Sequence, residues 1–472
     1  MKKIKVGILT FSDGRDYIHK SLLSTNQRYQ DKLAKTLAAQ GVEVVVGNEI
    51  IWNSVIAQRE GRRLAAEGCD LTILNYAIWC YPHLSAMATK FAPGPYLLFC
   101  NIHPSEPGMV GMMAASGALD QLGISHTRVW GDIDDENVLN KVMPYIRAAG
   151  ALSHLKGQTY GLFGGRALGM YTAVANLDQW NKMFGLDVEH IEQYDIVMES
   201  EKVDGAKVEN ALKWLEKHVG KIAYDEHSLT PEMLKLQIRS YYAYRKIIKE
   251  KNLDFIGTKA HGDLTDHFVT VDIAEAFLND PYDWDGPHEP IVAATEADMD
   301  GALTMQLFHL FTGGEPVLFA DVRHYDAEDG VWYLSNSGTH ATFFAGRSKD
   351  PAVNLKKVSF FPEVSYYPAG GASVHHFAAP GEVTLARLAR RDGKYRLAIV
   401  PAEIVQFDQK VMEAKGATIT PEWPCAFTKL QCSADDFLTD FPCNHIHGCY
   451  GNWMAELLHI ADILGINAKV FI

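Results

Sequence analysis

Cysteine is scarce in this sequence and irregularly placed. The seven residues, Cys69, Cys80, Cys100, Cys425, Cys432, Cys443 and Cys449, are odd in number and include no Cys-x-x-Cys pair. That excludes a disulfide framework and argues for reduced thiols. No apolar run reaches the about eighteen residues that a membrane-spanning helix needs. The opening Met1-Lys2-Lys3-Ile4-Lys5 leads directly into a short apolar stretch, without a long hydrophobic segment or a small-residue cleavage site. No secretory signal is therefore read, and a cytoplasmic location is expected. Basic blocks are missing as well. With 44 Lys and Arg against 58 Asp and Glu the formal charge is −14, which opposes phosphate backbones and anionic lipid, so neither nucleic acid nor membrane is an expected partner.

What is present is an ordinary globular composition, 47% hydrophobic and 22% charged. A chain of 472 residues is too long for one core and calls for two or three domains. Its first two thirds alternate short β-branched runs with helical patterns, the mark of βαβ units and a parallel sheet. Strands are expected at 5–10, 42–46, 71–76, 96–101 and 126–130, with helices at 29–40, 56–67, 109–122 and 138–155. A second series has strands at 159–163, 188–197 and 255–258, a helix from the Gly164-Gly165-Arg166 turn through Trp180, and helices at 206–218, 231–249 and 270–278. After residue 324 the segments become strand-like, at 331–334, 358–361, 372–377, 383–389 and 395–400, and Asp392-Gly393 marks a tight hairpin. A helix at 454–464 closes the chain. The expected fold is α/β: two doubly wound Rossmann-like domains, 1–155 and 156–323, then a β-rich, barrel-like domain, 324–472.

The stretch 291–322 reads strand, helix, strand, each strand finishing at a carboxylate, Glu296 and Asp321. A right-handed crossover would make these strands parallel and place both acids on one edge of one sheet, where open α/β sheets bind ligands. Two such carboxylates can share a divalent cation or a substrate. The simpler alternatives are a first-turn acid at Glu296 and a surface pair of Asp321 with Arg323. Just before the last helix, Cys443-Asn444-His445-Ile446-His447-Gly448-Cys449 is dense in ligand types. The alternation at every second residue does not match structural zinc spacing. One imidazole joined to two carboxylates makes an oxygen-rich site suited to Mn²⁺ or Mg²⁺.

Motifs from end to end resemble the L-fucose isomerase family, which shares its architecture with L-arabinose isomerases. They are Asp13-Gly14-Arg15, Trp79-Cys80-Tyr81, Gly164-Gly165-Arg166 with Gly169-Met170-Tyr171-Thr172, Thr295-Glu296-Ala297-Asp298, Phe319-Ala320-Asp321-Val322-Arg323, Pro368-Ala369-Gly370-Gly371 and Asn444-His445. The resemblance implies aldose–ketose isomerisation through a cis-enediol, acting on L-fucose or D-arabinose. It implies metal ligation by Glu296, Asp321 and His445, with His447 as the substitute ligand, and proton transfer by the two carboxylates. It also implies sugar contacts from Arg15, Trp79 and Asn444, a Mn²⁺ or Mg²⁺ cofactor, and a homo-oligomer, a hexamer with sites at subunit interfaces. Two departures bear on the sugar rather than the reaction: a shorter chain than the long bacterial members, and Ala167 where the Gly-Gly-Arg motif carries Ser. An L-arabinose or other pentose isomerase is the neighbouring reading. A sugar-binding protein without catalysis is the reading from another class.

Overall fold

The computed structural model describes residues 2–472 and divides the chain into two compact units. One runs to His154 and takes in Ala455–Gly465; the other comprises Leu155–Met454 and Ile466–Ile472. In the first, strands β1 (Lys5–Phe11), β2 (Glu43–Val46), β3 (Leu71–Tyr76), β4 (Tyr96–Cys100) and β5 (His126–Trp130) alternate with helices α1 (Asp16–Ala39), α2 (Ser54–Ala66), α3 (Pro82–Ala88), α4 (Gly108–Gln121) and α5 (Glu136–Leu155). The strands form one parallel sheet in the order β2-β1-β3-β4-β5. All six residues of β3 are buried, as expected of a parallel strand covered by helices on both faces.

This order creates a topological switch point between β1 and β3, and ligands of open α/β sheets bind outside the carboxyl ends at such a point. The loops that leave those two strands carry Asp13-Gly14-Arg15 and Trp79. Helix α4 lies close over the second loop because glycine lets it: a Cβ on Gly108 would stand 2.3 Å from the Tyr76 carbonyl, and one on Gly111 2.6 Å from that of Ile78. Two differences from the sequence expectation fall here. Helix α1 starts at Asp16 rather than near residue 29, its first turns burying the polar His19 and Asn26, which conceal the apolar period. Helix α3, unforeseen, opens on Pro82 in its first turn, where the missing N–H costs no hydrogen bond.

The second unit begins with β6 (Thr159–Phe163), α6 (Leu177–Phe184), β7 (Asp187–Ile191), α7 (Gln193–Ser200), α8 (Gly205–His218), β8 (Lys221–Ile222), α9 (Pro231–Lys251), β9 (Phe255–Thr258), α10 (Leu264–His267), α11 (Asp272–Asn279), the small strands β10 (Tyr282–Asp283) and β11 (Gly286–Pro287), β12 (Ala293–Ala294) and α12 (Met299–Thr312). A parallel sheet runs β12-β9-β6-β7. Residues 192–197, expected to continue β7, instead enter α7, and the helix expected after Gly164 forms only from Leu177. Positive φ at Gly164, Leu168 and Gly169 keeps the intervening chain out of a right-handed helix.

The remaining elements are β13 (Leu318–Asp326), β14 (Val331–Ser335), α13 (Pro351–Leu355), β15 (Ser359–Pro362), β16 (Ala372–His375), β17 (Gly381–Arg391), β18 (Lys394–Ile404), α14 (Gln409–Gly416), β19 (Cys425–Leu430), α15 (Ala434–Asp440), β20 (His445–Tyr450), α16 (Met454–Leu464) and β21 (Asn467–Val470). Strands β16-β15-β8 make a small sheet, and the others a seven-stranded one, β17-β20-β13-β14-β19-β18-β21. Because β17 also pairs with β18, joined by the hairpin at Asp392-Gly393, the ladder closes on itself. Leu318, Ala320, Leu334, Leu385, Val400, Ala426 and Ile446 fill the core beneath it.

The crossover expected around α12 is overturned. Strand β12 belongs to the parallel sheet, whereas β13 lies in the seven-stranded sheet, antiparallel to both β14 and β20. Strands successive in sequence usually share a sheet, but here the chain changes sheets across α12. That helix buries 13 of its 14 residues, and so is apolar on all sides rather than on one stripe. Nor do the carboxylates sit at strand ends: Glu296 lies in the 3₁₀ turn Thr295–Ala297, and Asp321 within β13.

Candidate active site

Glu296 and Ala297 both adopt positive φ, 57° and 50°. For residues with a Cβ this costs on the order of 1–3 kcal/mol each and persists only where surrounding structure imposes it. The consequence is positional. The turn redirects the Glu296 side chain and leaves Asp298 as the N-cap of α12, its Oδ1 accepting from the Gly301 amide at 2.9 Å. Asp321 and His445 meet by register, as directly opposed residues of the β13–β20 ladder, where side chains on one face touch.

Three side chains converge. His445 Nε2 stands 3.0 Å from Glu296 Oε2 and 3.4 Å from Asp321 Oδ1. Its other nitrogen, Nδ1, lies 2.6 Å from Asp298 Oδ2. A carboxylate can only accept, so Nδ1 carries the proton in that bond, and once His445 gives up its second proton in favour of a bound cation it presents a lone pair at Nε2. Asp298 is held in turn by Arg387, whose Nη2 donates to Oδ1 at 2.9 Å and whose Nη1 donates to Oδ2; both side chains are fully buried. Arg387 Nη1 also reaches His447 Nε2 at 2.9 Å. His447 thus faces the arginine, while His445 faces the carboxylates. Around Asp321, Asn336 Nδ2 donates to Oδ2 at 2.8 Å and Asn444 Nδ2 to Oδ1 at 3.1 Å. On the far side of Glu296, His261 Nε2 lies 3.4 Å from Oε1 and 3.5 Å from the Tyr367 hydroxyl.

The electrostatics follow from this layout. Burial pushes Glu296 up, yet His261 and His445 outweigh it and bring its pKa down to about 2. Burial keeps Asp321 above the usual carboxylate range despite His445. Burial also opposes charge on His445, but the carboxylates of Asp298 and Glu296 beside it hold its pKa well above the ordinary imidazole value. Two acids around one imidazole nitrogen form a pocket with more negative charge than its own residues neutralise.

This donor set fits a divalent metal ion. The His445 Nε2 atom is buried without a hydrogen-bond partner, which is costly unless something occupies its lone pair. Its Nδ1–H···Asp298 bond is the outer contact that metal-binding histidines make. Candidate ligand atoms of Asp298, Cys443 and His445 also lie within 4.8 Å of one another. Both Asp298 oxygens, however, are already engaged by Arg387, His445 and the Gly301 amide, which makes Asp298 the anchor of His445 Nδ1.

Of the sequence-expected residues, Glu296, Asp321, His445 and Asn444 come together here. Arg15 and Trp79 belong to the first unit. There Arg15 makes a two-pronged bond to Asp13, Nε to Oδ1 at 2.9 Å and Nη2 to Oδ2 at 2.6 Å, with half its side chain exposed. The sequence reading passed over Asp298, Arg387, His261 and Asn336. A signal existed for Arg387, a charge inside the otherwise apolar run 383–389; His261 and Asn336 offered none.

Three family profiles match in chain order: L-fucose isomerase, first N-terminal domain over residues 3–157, second N-terminal domain over 249–313, and C-terminal domain over 334–471. Proteins named L-fucose isomerase match end to end. The one from Bacteroides thetaiotaomicron is 24% identical over 99% of this chain and 93% of its own, and the one from Haemophilus influenzae 24% over 98% and 92%. One from Escherichia coli is 24% identical over 97% and 89%. The class these matches define is that of the aldose–ketose isomerases. Within it, the chain belongs to the L-fucose isomerase family. Among the described residues no helix is long and apolar enough to cross a membrane.

Proposed function

We propose that this protein is a metal-dependent aldose–ketose isomerase that converts L-fucose to L-fuculose and D-arabinose to D-ribulose through a cis-enediol. One observation carries the reading: a buried His445 Nε2 without a hydrogen-bond partner, its tautomer fixed by Asp298, faced by Glu296 and Asp321. Glu296, Asp321 and His445 would hold the ion, Mn²⁺ ahead of Mg²⁺, since two carboxylates and one imidazole form a mainly hard set. When bound, the ion supplies Lewis-acid polarisation of the sugar oxygens and stabilises developing negative charge.

The proton movements fall to the carboxylates. One takes the proton from C2 and returns it to C1; the other takes the O2 proton and delivers it to O1, so aldose and ketose differ only in where two protons reside. Asn336 and Asn444 donate to Asp321, and His261 flanks Glu296, fixing the direction of each lone pair. Asn444 is assigned to the sugar hydroxyls, and Arg15 and Trp79 are assigned to them from across a subunit interface. L-fucose and D-arabinose share configuration near the reacting carbons, which is why both are named.

The test is ketose formation from L-fucose, D-arabinose and L-arabinose by the chelated protein, then after Mn²⁺ is restored. Activity on the first two that vanishes and returns is the expected result. Turnover of L-arabinose alone would move the substrate assignment, and turnover unaffected by chelation would overturn the metal.

A further inference from the structure

Away from the carboxylates, the second unit contains a groove of about 690 Å³, within the range of about 300–1,000 Å³ typical of small-molecule sites. Its rim carries Lys221, Lys356 and Lys357. Backbone contacts bring these lysines together. Lys221 is in parallel register with Ser359, the Gly220 amide bonds to the Leu355 carbonyl at 2.9 Å, and a Cβ on Gly220 would stand 2.4 Å from the Lys356 carbonyl. Among the described residues, none of the three forms an ion pair; the Lys221 ammonium instead stands 5.3 Å from the centre of the Phe361 ring. The one carboxylate lining the groove, Glu413, accepts from the Gln409 side chain at 2.9 Å.

The rest of the lining is of another kind. Phe361 and Phe377 belong to it, with Met412 and a run of alanines alongside. His376 also lines the groove, is only 1% exposed, and has neither ring nitrogen hydrogen-bonded. A neutral imidazole has one donor and one acceptor, and leaving such groups buried and unpaired is unfavourable. Three uncompensated ammonium groups call for a multiply charged anion, since lysine binds phosphate as a point charge. Two aromatic side chains in the lining, Phe361 and Phe377, call for a ring, and the volume exceeds what a bare anion fills. We propose that this groove is a second ligand site, separate from the isomerase centre, for a phosphate monoester carried on an uncharged ring. Sugar phosphates and nucleoside monophosphates share that chemistry. In it the phosphate meets the lysines, the ring lies against Phe361 and Phe377, and a ring hydroxyl or nitrogen pairs with His376.

The experiment is calorimetric titration of the Mn²⁺-loaded full chain with glucose 1-phosphate, AMP and inorganic phosphate, using methyl glucoside and adenosine as uncharged controls. At least one monoester should bind about tenfold or more tightly than inorganic phosphate, and the uncharged controls should not bind. Tighter AMP identifies a nucleotide ligand, tighter glucose 1-phosphate a sugar phosphate. The double variant Lys356→Ala/Lys357→Ala should weaken the monoester about tenfold or more, with Lys221→Ala as a second variant, whereas Asp321→Asn should leave it unchanged. Absence of monoester binding at millimolar concentration, affinity unmoved in both lysine variants, or loss of binding in Asp321→Asn would each overturn the site.

Discussion

In the first unit the donors around buried acids outweigh burial; around several acids of the second they do not. Asp70 accepts from the Lys5 amide at 2.7 Å, Ser153 Oγ at 2.7 Å and His154 Nε2 at 3.1 Å, which together outweigh burial and lower its pKa. Asp13 is lowered chiefly by the two-pronged bond from Arg15. At several acids of the second unit burial dominates. It pushes Asp272 and Asp280 up to about 7 and Glu363 up to about 8, and it raises Asp321. The difference separates two uses of acidic residues. Where donors match acceptors, an acid ties the fold together. Where burial outweighs the donors and two acids meet one imidazole nitrogen, the imbalance leaves work for a cation and a substrate.

The sharpest way to break this comparison is to remove the imbalance. Glu296→Gln and Asp321→Asn each replace an acid by a shape mimic, and each should lower isomerase turnover by about 10³-fold or more, general acid–base and metal contributions both being lost. Circular dichroism should remain that of the parent. A folded, Mn²⁺-loaded double variant with parental turnover would show that the acid excess has no catalytic meaning.

Next in size is the single place in the second unit's site where charge is balanced. Arg387→Met strands Asp298 in a fully buried position, and breaking a buried pair from one side costs about 3–5 kcal/mol. Chemical denaturation should register that loss. Mn²⁺ affinity should fall with it, because Asp298 fixes His445 Nδ1. Unchanged stability would mean that the pair is dispensable and that the site's order has another source.

Acid titration separates the regions by sign. The folded pKa of Asp280, about 7, lies above its ordinary 3.8, so between those values the native state holds a proton that the unfolded chain has released. Stability therefore falls as pH rises through that window, by at most about 1.4 kcal/mol per pH unit from this group. Asp70, with a lowered pKa, behaves oppositely: its contribution is present above its ordinary value and is lost on acidification. Denaturation curves from about pH 2 to 8 should show Asp280→Asn flattening the alkaline decline and Asp70→Asn flattening only the acid one. The same pH dependence in both variants would refute the contrast.

What the sequence disclosed follows the same division. Local patterns were legible: the strand rhythm of the first unit and the helix 299–312. The acids Glu296 and Asp321 were singled out for a reason that failed, a shared sheet edge. They meet instead through a positive-φ turn and a cross-strand register with His445. A register between distant strands leaves no local periodicity, and Asp298 and Arg387 are 89 positions apart. The every-second-residue spacing that does not match zinc is the alternation of strand β20, in which His445 and His447 share a face and both approach Phe319 at 4.7 Å.

The smallest expected effect tests whether a balanced pair can still serve function. Arg15 neutralises Asp13 as Arg387 neutralises Asp298, but Arg15 is half exposed where Arg387 is buried. Solvent screens the exposed pair, and its strength is then mostly geometric. Arg15→Met should leave the unfolding midpoint where it is. It sits at the switch-point edge of the first sheet, where ligands bind, so KM for L-fucose should rise several-fold while kcat changes less. A lowered midpoint with unchanged KM would assign Arg15 to the fold alone, and sugar recognition by the first unit would then have to rest on Trp79.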